Sequence, residues 1–189
     1  MSVTSAKSGA TGISLALDNN YMEPIATTVV GSTTVNSVIF SDIPQTYKHL
    51  QIRCIVRDTN AAASAASLAL RFNTETTNYT FHALQGNGSS VTASGATSYT
   101  YAYNGLLARN GLTNGIMSVN IIDILDYANT DKYKTIRGLG GYDANGSGYV
   151  GLYSNVYQST TAISQIHFYT DDSANFTQYS RFSLYGIKG

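Results

Sequence analysis

The residues with which this chain could do chemistry are few and scattered. His49, His82 and His167 each stand alone in a strand-like stretch. No His-x-His, His-Glu-x-x-His or Cys-x-x-Cys spacing brings nitrogen or sulfur donors together for zinc. Asp143-Ala-Asn145-Gly-Ser147-Gly148 reproduces the first half of a calcium loop, in which a tight turn wraps alternate oxygen donors around the cation. The twelfth position, where a bidentate glutamate should close the sphere, is Ser154, so the segment reads as a glycine hairpin turn. Asp123, Asp126 and Asp131 could pair with Asp171 and Asp172 as the two carboxylates of a glycosidase. No motif places them, and they read as turn residues and strand-end caps. Gly138-Leu-Gly140-Gly141 has no following helix to complete a phosphate cradle, and the chain has no Gly-x-Ser-x-Gly elbow. The expectation is a protein that is not an enzyme, with no catalytic residue, metal or cofactor.

What remains is tyrosine, with 15 copies. A tyrosine offers apolar area and a hydroxyl at low entropic cost, which suits flat, partly wet interfaces and sugar rings. Tyr99, Tyr101 and Tyr103 alternate, which places them on one face of a short strand and makes them the candidate interaction surface. The same residues are also good strand formers that a core would use. The four Asn-x-Ser/Thr triplets, at Asn78, Asn87, Asn145 and Asn175, follow from the abundance of these residue types.

Composition narrows the classes further. Only 12% of the 189 residues are charged, and eleven basic residues balance eleven acidic ones. This removes the attraction that drives most binding to nucleic acid and acidic membranes, so neither is an expected partner. No apolar run is long enough to span a bilayer as a helix, and the first residues, MSVTSAKSGATG, lack the apolar core of a secretory signal. The single cysteine, Cys54, reads as a small buried hydrophobe. A hydrophobic share of 43% supports a folded core.

The elements that would position these residues are strands. Residues 49–57 alternate Leu50, Ile52, Cys54 and Val56 against Gln51, Arg53, Ile55 and Arg57, the period of a half-buried strand with Arg53 and Arg57 facing away from Cys54. Similar runs cover 25–30 and 35–40 (a hairpin or loose two-strand unit), then 67–73 and 79–83. Others cover 117–125, 132–139, 149–157, 163–170 and 179–187. Residues 61–67 read as a long turn and 85–98 as the most loop-like stretch. About ten short strands without a long helix or fixed repeat predict an all-β fold, a jelly-roll-like antiparallel β-sandwich. It forms a single domain over 23–189, preceded by an extended N-terminal arm over 1–22.

Two stretches carry a family resemblance. Residues 46–88 contain TYKHLQIRCIVRDT and then LALRFNTETTNYTFHALQGNGSS, and residues 180–189 read SRFSLYGIKG. The combination resembles small virion structural proteins of tailed bacteriophages, cyanophages among them, in which such strands recur around variable loops. The insert at 61–67 departs from that pattern. The resemblance implies a β-sandwich located in the virion, assembling as a homo-oligomer (dimer or trimer) with the major capsid protein or other virion proteins as partners. Such proteins serve as capsid decoration (cement) proteins, head fibres, tail-fibre or receptor-binding modules that recognise host glycans, and small adaptors. No heptad or shaft repeat precedes the sandwich here, and a compact domain with a polar arm suits docking on a lattice. Capsid decoration is therefore the first expectation and the tail-fibre module the second.

Overall fold

The computed structural model describes residues 21–61 and 66–189. The bulk of the arm expected over 1–22 and the centre of the 61–67 turn thus lie outside the described residues. All regular structure among the described residues is β. The strands are β1 (Met22–Val29), β2 (Ser37–Phe40), β3 (His49–Asp58), β4 (Ser67–Phe72), β5 (Tyr79–Gly86), β6 (Val91–Tyr99) and β7 (Ala102–Leu106). They continue with β8 (Ala108–Arg109), β9 (Ser118–Leu125), β10 (Lys134–Asp143), β11 (Gly148–Tyr157), β12 (Ile166–Thr170) and β13 (Arg181–Ile187).

The large sheet runs β1-β13-β3-β9-β10-β11-β5-β6 and the small sheet β2-β12-β4-β7, all antiparallel, with the two-residue β8 lying parallel to β3. The ladders explain the architecture. β1 pairs with β13, β2 with β12, β3 with β9 and β4 with β7. These are the rungs of one long ribbon, folded back on itself and rolled so that successive segments fall in alternate sheets. The result is the jelly-roll order expected from the sequence. Two excursions, β5–β6 and β10–β11, leave the roll and widen the large sheet beyond β9 by four strands.

Alternation fills the space between the sheets. Leu50, Ile52, Cys54 and Val56 of β3 are buried, facing a core that includes Leu68, Leu70 and Phe72 of β4 and Phe168 of β12. Burial also pushes the Cys54 thiol well above its ordinary range, in keeping with a thiol that packs as a hydrophobe.

Three local expectations need correction. Residues 25–40 are no hairpin, because β1 and β2 belong to different sheets. The stretch 85–98 contains β6, a strand of mostly exposed residues held to β5 by its backbone ladder, which needs no apolar side chain. Arg57 does face away from Cys54 but is buried, because the 110–116 segment folds over it and offers it four carbonyls.

The resemblance motifs meet in space. β3, which holds HLQIR of the first motif, pairs with β13, which holds FSLYGI, from His49↔Ile187 to Ile55↔Arg181. The Tyr47 ring lies directly over Gly186, where an added Cβ would stand about 2.3 Å from a ring carbon. Asn73, which ends the LRFN motif, accepts the backbone N–H groups of Ser164 and Gln165 at Oδ1 (2.9 and 3.1 Å) and donates to the Ala162 carbonyl (2.7 Å). Tyr47, Gly186 and Asn73 are thus occupied in holding strands and loops together.

Candidate functional site

The three tyrosines do not share a strand. Tyr99 ends β6 in the large sheet, the chain bends at Thr100 and Tyr101, and Tyr103 lies in β7 of the small sheet. Strict alternation fails because Ser98 adopts a positive φ of 56° where the chain changes sheets. Their hydroxyls are used internally. Tyr99 and Tyr101 share a 3.1 Å hydrogen bond, Tyr101 donates to Asp171 (3.2 Å), and Gln85 donates to the hydroxyls of Tyr103 (2.6 Å) and Tyr153 (3.2 Å). Phe81 packs against both Tyr99 and Tyr103, with ring centroids 4.9 Å apart in each case. Burial pushes the Tyr101 hydroxyl far above its usual range, and that of Tyr153 up to about 12. The trio bridges the sandwich, and Tyr101 is a buried member of it.

The other candidates are likewise dispersed. His49 sits in β3, where Nδ1 accepts the Asp126 backbone N–H (2.9 Å); His82 is in β5 and His167 in β12. Among the described residues, no three His, Cys, Asp or Glu side chains come together in a way that could hold a metal. The Asp143–Gly148 segment is the β10–β11 hairpin turn, and Asp143 Oδ1 is taken by the Asn145 N–H at 2.7 Å. Gly138 and Gly140 lie inside β10, where Asn104 of β7 and Asn120 of the adjacent β9 respectively occupy the space a side chain would need. Among the carboxylates, Asp123 accepts from Gln51 (2.9 Å), and Asp126 is held by Lys48 (2.9 Å) and Lys132. Hydrogen bonds from those two lysines hold the Asp126 carboxyl down to about 2. Asp131, in the β9–β10 connection, has its backbone N–H bonded to Asn129 Oδ1 at 2.8 Å.

A buried ionic group was not anticipated from the sequence. Asp58, fully buried at the end of β3, lies 3.5 Å from Arg109 Nε, and the other arm of Arg109 reaches Asp172 at 2.5 Å. Burial outweighs the Asn60 N–H and the Arg109 charge and pushes the Asp58 carboxyl up to about 6. The folded protein therefore holds this proton to a higher pH than the unfolded chain, where the carboxyl titrates near 4. Stability should fall as pH rises from about 4 to about 6 and then level off, by about 3 kcal/mol for this group. Urea midpoints at pH 4.5 and 7 should thus converge in Asp58→Asn relative to the unaltered protein. An unchanged difference would assign the slope to other groups.

The surface that stands out lies on the outside of the widened sheet. Register places residues of adjacent strands side by side in rows. One outward row reads Ile121, Leu139, Leu152, Leu84 and Ala93, and the next Val119, Gly141, Val150, Gly86 and Val91. These ten positions across β9, β10, β11, β5 and β6 hold no charge, no hydrogen-bonding side chain and no aromatic ring. The large side chains among them are 36% to 71% exposed. At ~4.8 Å per strand and ~3.3 Å per residue, the patch measures roughly 24 by 14 Å, some 300–350 Å² in outline. The face is hollowed rather than flat, with two adjoining recesses of about 680 and 550 Å³ that share Ile121 and Leu139. Asp123, Arg137 and His82 border it at one end, and the turns at 86–88 and 143–148 at the other.

A sequence signal for this face existed in β9. Val119 and Ile121 point outward while Ile122 and Ile124 point into the core, so the strand is apolar on both sides. A strand of that kind is expected to be covered on both sides.

Compared with protein families, curated proteins and solved structures, the chain has no match in any of the three.

Proposed function

We propose that the chain is a non-enzymatic structural protein of a tailed-bacteriophage particle, a capsid decoration protein that docks on the major capsid lattice and stabilises the head. The observation that supports this reading is the uncharged aliphatic face on β9, β10, β11, β5 and β6. Such a face loses little on desolvation and gains from contact with another protein, and the largest apolar patch of a protein is often a functional surface. Its outline resembles the apolar centre of a standard interface, which a polar rim brings to about 800 Å² per partner.

The tail-fibre reading needs a surface that recognises sugars, built from rings to stack on and polar groups to hydrogen-bond. The ten aliphatic positions have neither, the rings of Tyr142 and Tyr149 lying only at the turn end of the recess, and the hydroxyls of Tyr99, Tyr101 and Tyr103 are engaged within the sandwich. Counting and locating the protein on intact particles tests the proposal. Hundreds of copies on the head, with loss of heat resistance when it is missing, are expected. A handful of copies at the tail, together with binding of the purified protein to host cells, would instead establish the fibre reading.

A further inference from the structure

A sheet ends in strands whose outer backbone groups lack a neighbour, and native proteins blunt such edges with charge, proline, bulges, short length or cover. Four strands form the edges among the described residues, and three of them are blunted. β1 carries Glu23 and Pro24 and shifts register between Pro24 and Ala26. β2 has four residues. β7 lies against Asn155, whose side chain accepts the Tyr103 N–H (2.8 Å) and donates to the Tyr103 carbonyl (3.0 Å). β6 has none of these devices over 91–96, its irregularity falling beyond Ala96. Residues 91–95 are all exposed, and the chain holds no Asp, Glu, Lys or Arg between Glu75 and Arg109.

The phase of the β5–β6 ladder identifies the open groups. Asn87 N donates to Ser90 O (3.2 Å) at the hairpin turn, so these two residues form a bonded pair. Bonded and non-bonded pairs alternate along an antiparallel ladder. Gln85 with Thr92 and Ala83 with Ser94 are therefore bonded pairs, and Val91, Ala93 and Gly95 turn their N–H and C=O groups to the open edge. The side chains of Val91 and Ala93 lie on the aliphatic face, and those of Thr92 and Ser94 on the opposite one.

We propose that β6 of a second copy pairs antiparallel with β6 along this edge, joining two molecules into one continuous sheet about a two-fold axis at Ala93. That axis sets Ala93 against Ala93 and Val91 against Gly95, and each such pair exchanges two hydrogen bonds. An axis at Thr92 or Ser94 would instead call on the hairpin turn or on the irregular end of β6. Ladder bonds read no sequence, so side chains decide the occupant. On one side Val91 meets Gly95, which lies under the His82 ring and has no side chain of its own. On the other Thr92 meets Ser94, hydroxyl against hydroxyl. The strand is thus complementary to itself, and the pairing buries no charge. Because the axis stands perpendicular to the sheet, both aliphatic faces look the same way. Together they outline about 600–700 Å², close to the ~800 Å² that one side of a standard interface covers. The dimer rests on the edge and not on the decoration reading, so either can fail alone.

Analytical ultracentrifugation and amide exchange followed by NMR test it on the full chain. The unaltered protein should sediment as a dimer. Its Val91, Ala93 and Gly95 amides should be protected in the dimer and lose that protection on dilution, while Thr92 and Ser94 stay protected throughout. Ala93→Pro removes an N–H that β5 does not use, so the molecule should fold. Its dimer should weaken about tenfold or more, because both bonds of the central pair are lost. Leu139→Arg/Leu152→Arg alters half-exposed residues of the face and should leave the dimer intact. A monomer at about 100 μM, whether or not the three amides are protected, would overturn the proposal. So would a dimer in which those amides exchange freely. A dimer that the face variant abolishes and Ala93→Pro spares would also overturn it, by showing that faces meet one another directly.

Discussion

The variant Lys134→Met is expected to lose about 3–5 kcal/mol of stability and to melt some 10 °C or more below the unaltered protein. Lys134 opens β10 with its side chain fully buried, and its ammonium carries no carboxylate partner among its hydrogen bonds. It donates instead to the carbonyls of Asn129 (2.5 Å), Lys132 (3.1 Å), Thr160 (3.1 Å) and, more weakly, Ser159 (3.5 Å). One cation thus ties the β9–β10 connection to the loop after β11. Burial pulls its pKa down, a measure of what desolvating the charge costs, yet the carbonyls still depend on it. Methionine fills the volume and supplies no donor, leaving several buried acceptors without partners. Against a total of 5–15 kcal/mol for a domain, that loss is large. Arginine should not rescue it, because a flat fork cannot reproduce the ammonium's three converging donors. Thermal denaturation followed by far-UV circular dichroism measures the effect, and a shift below 3 °C would show that the carbonyls find other partners.

Arg57→Leu should be nearly as costly, about 3–4 kcal/mol, with a more local signature. Its guanidinium donates to the carbonyls of Leu112 (2.8 Å), Asn110 (3.1 Å), Thr113 (3.2 Å) and Ile116 (3.5 Å). The segment between β8 and β9 has little regular structure, and this one side chain gathers its carbonyls. Hydrogen exchange should accelerate first over 110–116 in the variant, and Arg57→Lys should recover only part of the protection. Uniform acceleration over all strands would mean that the loop folds without its arginine.

These two cations mark a boundary of what the sequence discloses. Period-two alternation in 49–56 discloses β3, its inward face and the all-β class, because one side of that strand meets a core and the other does not. It says nothing about loops that return later in the chain, so Arg57 reads as an outward charge until residues 110–116 are seen to cover it. The separation of β1 and β2 into different sheets is equally hidden, since crossing the sandwich or turning back within a sheet takes the same short polar connection. β6 escapes detection because an edge strand is fastened by backbone hydrogen bonds, and Ser, Thr, Gly and Ala suffice for its side chains. Beyond the two-sided apolar pattern of β9, the aliphatic face is legible only by comparing strands. Each of its rows is assembled by register from β9, β10, β11, β5 and β6, and no continuous stretch of sequence contains it. The Tyr99, Tyr101 and Tyr103 pattern misleads for the converse reason, because neighbours in sequence are parted by a change of sheet.

The pairing of first strand with last has a mechanical consequence. Tyr21 O accepts the Lys188 N–H (3.0 Å), and the β1–β13 ladder runs from Met22↔Ile187 to Val29↔Arg181. A tug on the chain ahead of Met22, directed along β1, therefore loads that ladder in shear, so that its bonds resist together instead of opening one after another. A pull in that direction is shared by the whole ladder, whereas one directed across the sheet would open the pair rung by rung from Met22.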